Sequence, residues 1–129
     1  MQIGNQLVRI EGDVLYLKLR GAFLPDELQA VLKLAEQIIA TYGHYFALVD
    51  ISELAAVPAE TRRIGGEWAR VHQISGNACF GGSDATRILI ALAMNAISLL
   101  TRGAAPVAFF ATEQESLAWI TEQRNKLAP

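Results

Sequence analysis

Tyr45-Phe46-Ala47-Leu48-Val49-Asp50-Ile51 is a nearly continuous apolar run carrying a single charge. Such a run suits a strand buried on both faces, as at the centre of a parallel sheet. Its flanks decide which sheet. Upstream, Pro25-Asp26-Glu27 opens a helix, because proline suits the first turn and acids suit the positive end of the macrodipole. Leu28, Val31, Leu32, Ala35, Ile38, Ile39 and Tyr42 recur at three- and four-residue steps, one apolar stripe over about five turns. Gly43 ends that helix as a left-handed cap. Further upstream, Leu7, Arg9 and Glu11 alternate with Val8 and Ile10, and Leu15, Leu17 and Leu19 share one face of the next run. Period-two patterning on both sides of Gly12-Asp13 predicts a β-hairpin.

Downstream, Pro58 starts a second helix with Ile64, Trp68 and Val71 on one side. Gly65-Gly66 lies inside it, and each mid-helix glycine costs about 1 kcal/mol relative to alanine. The expectation is a weak, broken or mobile helix. Asn77-Ala78-Cys79-Phe80 reads as a short strand. Ser83 or Asp84 then caps a third helix running to about Arg102. Pro106 to Phe110 is a last strand. Thr112 with Glu115 matches a capping box ahead of a terminal helix bearing Leu117, Trp119 and Ile120. The predicted order is β-β-α-β-α-β-α-β-α: an α/β fold with a mixed, mostly parallel sheet of about five strands and helices packed on it. The 129 residues contain no repeat and no linker, so residues 1–129 are expected to form one domain.

The stretch PVAFFATEQESLAWITEQ, Pro106 to Gln123, resembles the SpoIIAA-like branch of small bacterial STAS proteins. There a last strand ends in an aromatic, an acidic cap follows, and a helix carries an Ala-Trp pair, here Ala118-Trp119. LVDIS, Leu48 to Ser52, is similar to the Asp-containing third strand of that fold, and the resemblance extends from about Leu7 to Arg124. It implies a STAS domain. The anti-sigma-factor antagonists of this fold carry a phosphorylatable serine in an Asp-Ser pair opening the helix after an Asp-x-Ser strand end. Counting without gaps from Asp50 places that pair at Pro58-Ala59, with Thr61 the nearest hydroxyl. The resemblance therefore implies no phosphoserine switch here. The branch also resembles CRAL-TRIO lipid-transfer domains in fold, which implies an apolar ligand or peripheral membrane contact rather than catalysis.

Ile88 to Thr101 contains no charged residue, yet is shorter than the roughly 20 apolar residues of a transmembrane helix. Asp84, Arg87, Ala91, Asn95, Ser98 and Arg102 share one side of the wheel. The remaining apolar arc is wider than a helix on a sheet needs. Its surplus is core, a homodimer interface, or a site for an apolar small molecule or lipid. In the last case displacement of a mobile helix within residues 58–102 exposes Trp68, Leu92, Met94 and Ile97 as the ligand-binding residues. Arg62, Arg63 and Arg70 would then meet anionic head groups; the plainer reading is a solvated helix face shared with Glu60 and Glu67. The alternative function is a regulatory protein-interaction module.

Other chemistries find little support. Eleven Lys+Arg against 13 Asp+Glu give a net charge of -2, without the basic footprint of a nucleic-acid binder. Gly81-Gly82-Ser83 matches neither a P-loop nor a dinucleotide fingerprint and reads as an ordinary helix cap. His44 and His72 lack ligand-spaced partners, so neither a metal site nor a cofactor is expected. Cys79, inside a strand, reads as a small hydrophobe. Asp50 is the one carboxylate at a strand end, where α/β sites form; alone it does not define acid–base catalysis, and no enzyme is expected. One cysteine and no secretory signal pattern fit a cytoplasmic protein, with visits to the membrane allowed.

Overall fold

The computed structural model describes residues 1–72, 75–88, 90 and 107–127. Six strands form one sheet in sequence order: β1 (Gln2–Ile3), β2 (Gln6–Glu11), β3 (Val14–Ala22), β4 (Phe46–Ala56), β5 (Gly76–Phe80) and β6 (Val107–Phe110). The first three pair antiparallel, and β3 to β6 run parallel. Among the described residues this is one strand more than the expected sheet of about five. Gln2–Ile3 adds a short edge strand that its two residues are too few to announce by periodicity.

The hairpin turns at Gly12-Asp13, with Glu11 paired to Val14 and Gly12 at φ 58°. Helix α1 (Pro25–Tyr42) starts at the proline and stops at Gly43, left-handed at φ 81°. Its N-terminus is held by Glu27, whose carboxylate accepts the backbone N–H of Leu24 at 2.8 Å and of Asn5 at 2.9 Å. Helix α2 (Ala59–Val71) runs unbroken through Gly65-Gly66, so the expected break is not there. Residues 84–88 and 90 are helical, and Ser83 Oγ accepts the Thr86 N–H at 3.2 Å, the cap expected at that position. The C-terminal helix (Glu113–Leu127) is capped by Thr112 Oγ1, which accepts the Glu115 N–H at 3.2 Å.

Parallel strands added in one direction through right-handed crossovers place their connecting helices on one face. The core divides accordingly. Leu15, Leu17, Leu19, Ala47, Ile51 and Cys79 point to the α1 side with Val31, Ala35 and Ile38. Val14, Phe46, Leu48 and Ala78 point to the other side and meet Ile120 of the C-terminal helix. Phe46 to Ile51 thus supplies both cores by alternation, which is why the run is apolar throughout. The C-terminal helix packs on β4, β5 and β6. Its last turn is clasped to the hairpin. Arg124 donates to both Asp13 carboxylate oxygens at 2.7 and 3.0 Å, and His44 Nε2 lies 2.8 Å from Asp13 Oδ2.

Candidate functional site

The C-terminal helix packs on β4, β5 and β6, and among the described residues part of the adjoining β2–β3 face stays open. Leu7 and Arg9 of β2 pair with Lys18 and Tyr16 of β3, on the face opposite the Leu15-Leu17-Leu19 side. An open cleft of about 370 Å³ forms there. Tyr16, Leu48 and Phe80 line its apolar part; Arg9, Lys18, Asp50 and Glu113 supply its charges. Phe80 ends β5 and Glu113 starts the helix beyond β6, at the carboxyl side of the parallel strands where sites in α/β sheets usually lie. Asp50 pairs with Phe80 at that level but lies inside β4, which continues to Ala56, so it does not end its strand as its sequence position suggested.

The local order has specific causes. The Arg9 guanidinium lies 4.1 Å from the Tyr16 ring centroid and bonds Glu11 at 3.1 Å. Burial and the Glu11 charge push the Tyr16 phenol above its ordinary value, against the pull of Arg9. Lys18 Nζ bonds Glu53 at 2.8 Å, which raises the lysine further. Asp50 Oδ1 accepts the Ser52 N–H at 2.9 Å within β4. Gly81 and Gly82, at φ 77° and 76°, lie against Asp50, Ile51 and Ser52 of β4. A Cβ on Gly82 would sit 3.0 Å from the Ile51 side chain, so backbone angle and space both demand glycine. Arg87 ties the strand ends together, donating to Gly81 O at 3.0 Å and Phe110 O at 3.1 Å.

Cys79 is buried, and its thiol is pushed up to about 12, which leaves no thiolate for nucleophilic work near neutral pH. Among the described residues, no group of three or more His, Cys, Asp or Glu could hold a metal ion, and no helix is long and apolar enough to cross a membrane.

Trp68 is half-buried on α2. Its ring stands edge-on to Tyr45 at 5.8 Å, and its Nε1 donates to Glu36 at 3.2 Å. Leu92, Met94 and Ile97 lie outside the described residues. Arg62, Arg63 and Arg70 are exposed. Arg63 bonds both Glu60 and Glu67. Seven-residue spacing puts Arg63 and Arg70 on one helix face, with Arg62 about 100° away. The cleft itself was not singled out by sequence reasoning. Its signal was the alternation of Leu7-Arg9 and Tyr16-Lys18 opposite the leucine face, which looks like any solvated strand face until the extent of the C-terminal helix is known.

The hydroxyl nearest the phosphoacceptor position is also accounted for. Thr61 is buried and donates to Phe23 O at 2.7 Å, while Pro58 and Ala59 form the helix start itself.

No protein-family model matches the sequence, and no curated protein matches it. Solved structures do. An uncharacterized DUF3478-family protein with a SpoIIAA-like fold from Shewanella loihica PV-4 superposes with a TM-score of 0.62 at 19% identity, covering 88% of this chain and 90% of that one. The anti-sigma factor antagonist SpoIIAA in its unphosphorylated form superposes with a TM-score of 0.55 at 11% identity, covering 90% and 97%. With the strand order and the two cores described above, these likenesses establish that the chain has a SpoIIAA-like, STAS-type fold.

Proposed function

We propose that the chain is one STAS-type regulatory domain that binds a protein partner, works without a phosphoserine switch and catalyses nothing. The observation that carries this reading is the open cleft beside the start of the C-terminal helix. Tyr16, Phe80 and Leu48 give it an aromatic and apolar centre, and Arg9, Lys18, Asp50 and Glu113 give it a charged rim. That is the anatomy of a protein interface, apolar at the centre and polar at the edge. The fold it shares with an anti-sigma factor antagonist supports the same class of role. The buried, bonded Thr61 supports a partner switch that is not phosphorylation at the start of α2. The test is capture of a partner by wild type and by Tyr16→Asp, with the fold of each checked by circular dichroism. Loss of one specific partner with Tyr16→Asp, and its retention with Arg62→Glu on the far face, is the expected result. Equal capture by wild type and Tyr16→Asp overturns the reading.

A second reading is favoured by Val71 and Ile88, apolar residues exposed to 77% and 60% at the end of α2 and in the helical segment beyond. Here an apolar small molecule or lipid enters as α2 moves, meeting Trp68, Leu92, Met94 and Ile97. Arg62, Arg63 and Arg70 face anionic head groups during peripheral membrane contact of a cytoplasmic protein. Native mass spectrometry of freshly purified protein separates the outcomes. Bound lipid supports this reading. A dimer mass assigns the apolar surplus to self-association, and a bare monomer removes both.

A further inference from the structure

We propose that His72, Trp68 and Glu36 form a proton-dependent latch that holds the end of α2 on α1. Among the described residues, α2 packs chiefly against α1 rather than on the sheet. Its last turn is secured by one compact group. The His72 ring stacks on the Trp68 indole with centroids 4.2 Å apart and planes 11° from parallel. Its Nε2 lies 3.3 Å from Glu36 Oε1, the oxygen that also accepts the Trp68 Nε1–H at 3.2 Å. Its Nδ1 lies 3.1 Å from the Trp68 carbonyl oxygen, which also accepts the His72 backbone N–H.

Both ring nitrogens therefore face an oxygen acceptor. A neutral imidazole has one N–H and one lone pair. It satisfies one of these contacts and sets a lone pair against oxygen in the other. The imidazolium donates to both. Its charge also lies over the face of an indole, at the carboxyl end of a helix and beside a carboxylate. Glu36 faces the group from α1. Tyr45, just ahead of β4, faces Trp68 with a phenol that burial pushes well above its usual value, so it stays neutral. Protonated His72 closes the latch, and loss of the proton gives up one of its two ring hydrogen bonds together with the cation over the indole. The end of α2 is then free to part from α1. This device does not depend on which partner or ligand the protein binds.

The experiment reads Trp68 emission in a Trp119→Phe background, scanned from about pH 5 to about pH 8, where histidine side chains change charge. The expected result is a reversible change in Trp68 emission across the scan. His72→Gln abolishes it, Glu36→Gln reduces its amplitude, and His44→Gln, whose native ring meets Asp13, Tyr42 and Phe46, leaves it intact. Circular dichroism checks that each variant is folded, and Glu36→Gln carries the test if His72→Gln does not fold. A flat scan in the Trp119→Phe background with His72 and Glu36 intact overturns the latch. So does a change that survives His72→Gln or that Glu36→Gln leaves at full size.

Discussion

Asp13 shows how one side chain gathers distant parts of the chain. It occupies the second position of a two-residue turn, where aspartate is an ordinary choice. There it meets Arg124, 111 residues away, and His44. The Arg124 hydrogen bonds hold its carboxyl below the usual value of 3.8, outweighing burial, which acts the other way, and the His44 contact adds to the lowering. A depressed carboxylate stabilises the fold fully above its unfolded value, and that contribution is lost as pH falls through the lower folded value. Asp13→Asn is expected to cost about 2 kcal/mol near neutral pH, the scale of a hydrogen bond to a charged group. Urea unfolding of both proteins between about pH 7 and about pH 2 should show the difference shrinking as acid protonates Asp13 in the wild type. Glu27 is a second buried carboxylate with a role its spacing does not announce. Burial raises it, but the Leu24 and Asn5 amides and the Gln6 side chain together bring it below its usual value. The sequence marks Glu27 only as an acid in a helix's first turn; that it joins β1–β2 to α1 is visible only once those elements meet.

At the scale of elements, caps and periodicity were informative because they are local. Pro25, Gly43, Ser83 and Thr112 begin or end helices where side-chain chemistry says they should. The Gly65-Gly66 pair is different. Intrinsic propensity argues for a break, yet α2 is continuous, because a helix braced by a neighbour tolerates poor local residues. A Cβ placed on Gly65 would meet Leu28 of α1 at 3.6 Å, an ordinary packing distance. Gly65→Ala is therefore expected to stabilise the protein by about 0.5–1 kcal/mol through the unfolded state and helix propensity. A rise in the midpoint of thermal unfolding checks it, and a fall would mean that Leu28 cannot accommodate the methyl group.

For the whole molecule, the sheet separates two cores that share almost nothing except the strands. Ile38 anchors the α1 side and Ile120 the C-terminal side, at 4% and 1% exposure. Each truncation to alanine is expected to cost about 2–5 kcal/mol. Since the side chains lie on opposite faces, the double variant should cost the sum within about 0.5 kcal/mol. Denaturant unfolding of the two singles and the double measures this; strong non-additivity would mean that the sheet transmits strain between its faces. The sequence by itself determined the α/β class, the helix ends and the buried central strand, because hydrophobic period, capping and turn chemistry act over a few residues. It also excluded a phosphoserine at Pro58-Ala59, since that requires only the identity of two residues. Tertiary structure alone decided the edge strand β1, the width of sheet left bare by the C-terminal helix, the burial of Thr61, and the meetings of Arg124 with Asp13 and of His72 with Glu36. Those depend on which elements become neighbours. Contacts across 36 or 111 residues leave no periodic trace in the chain that makes them.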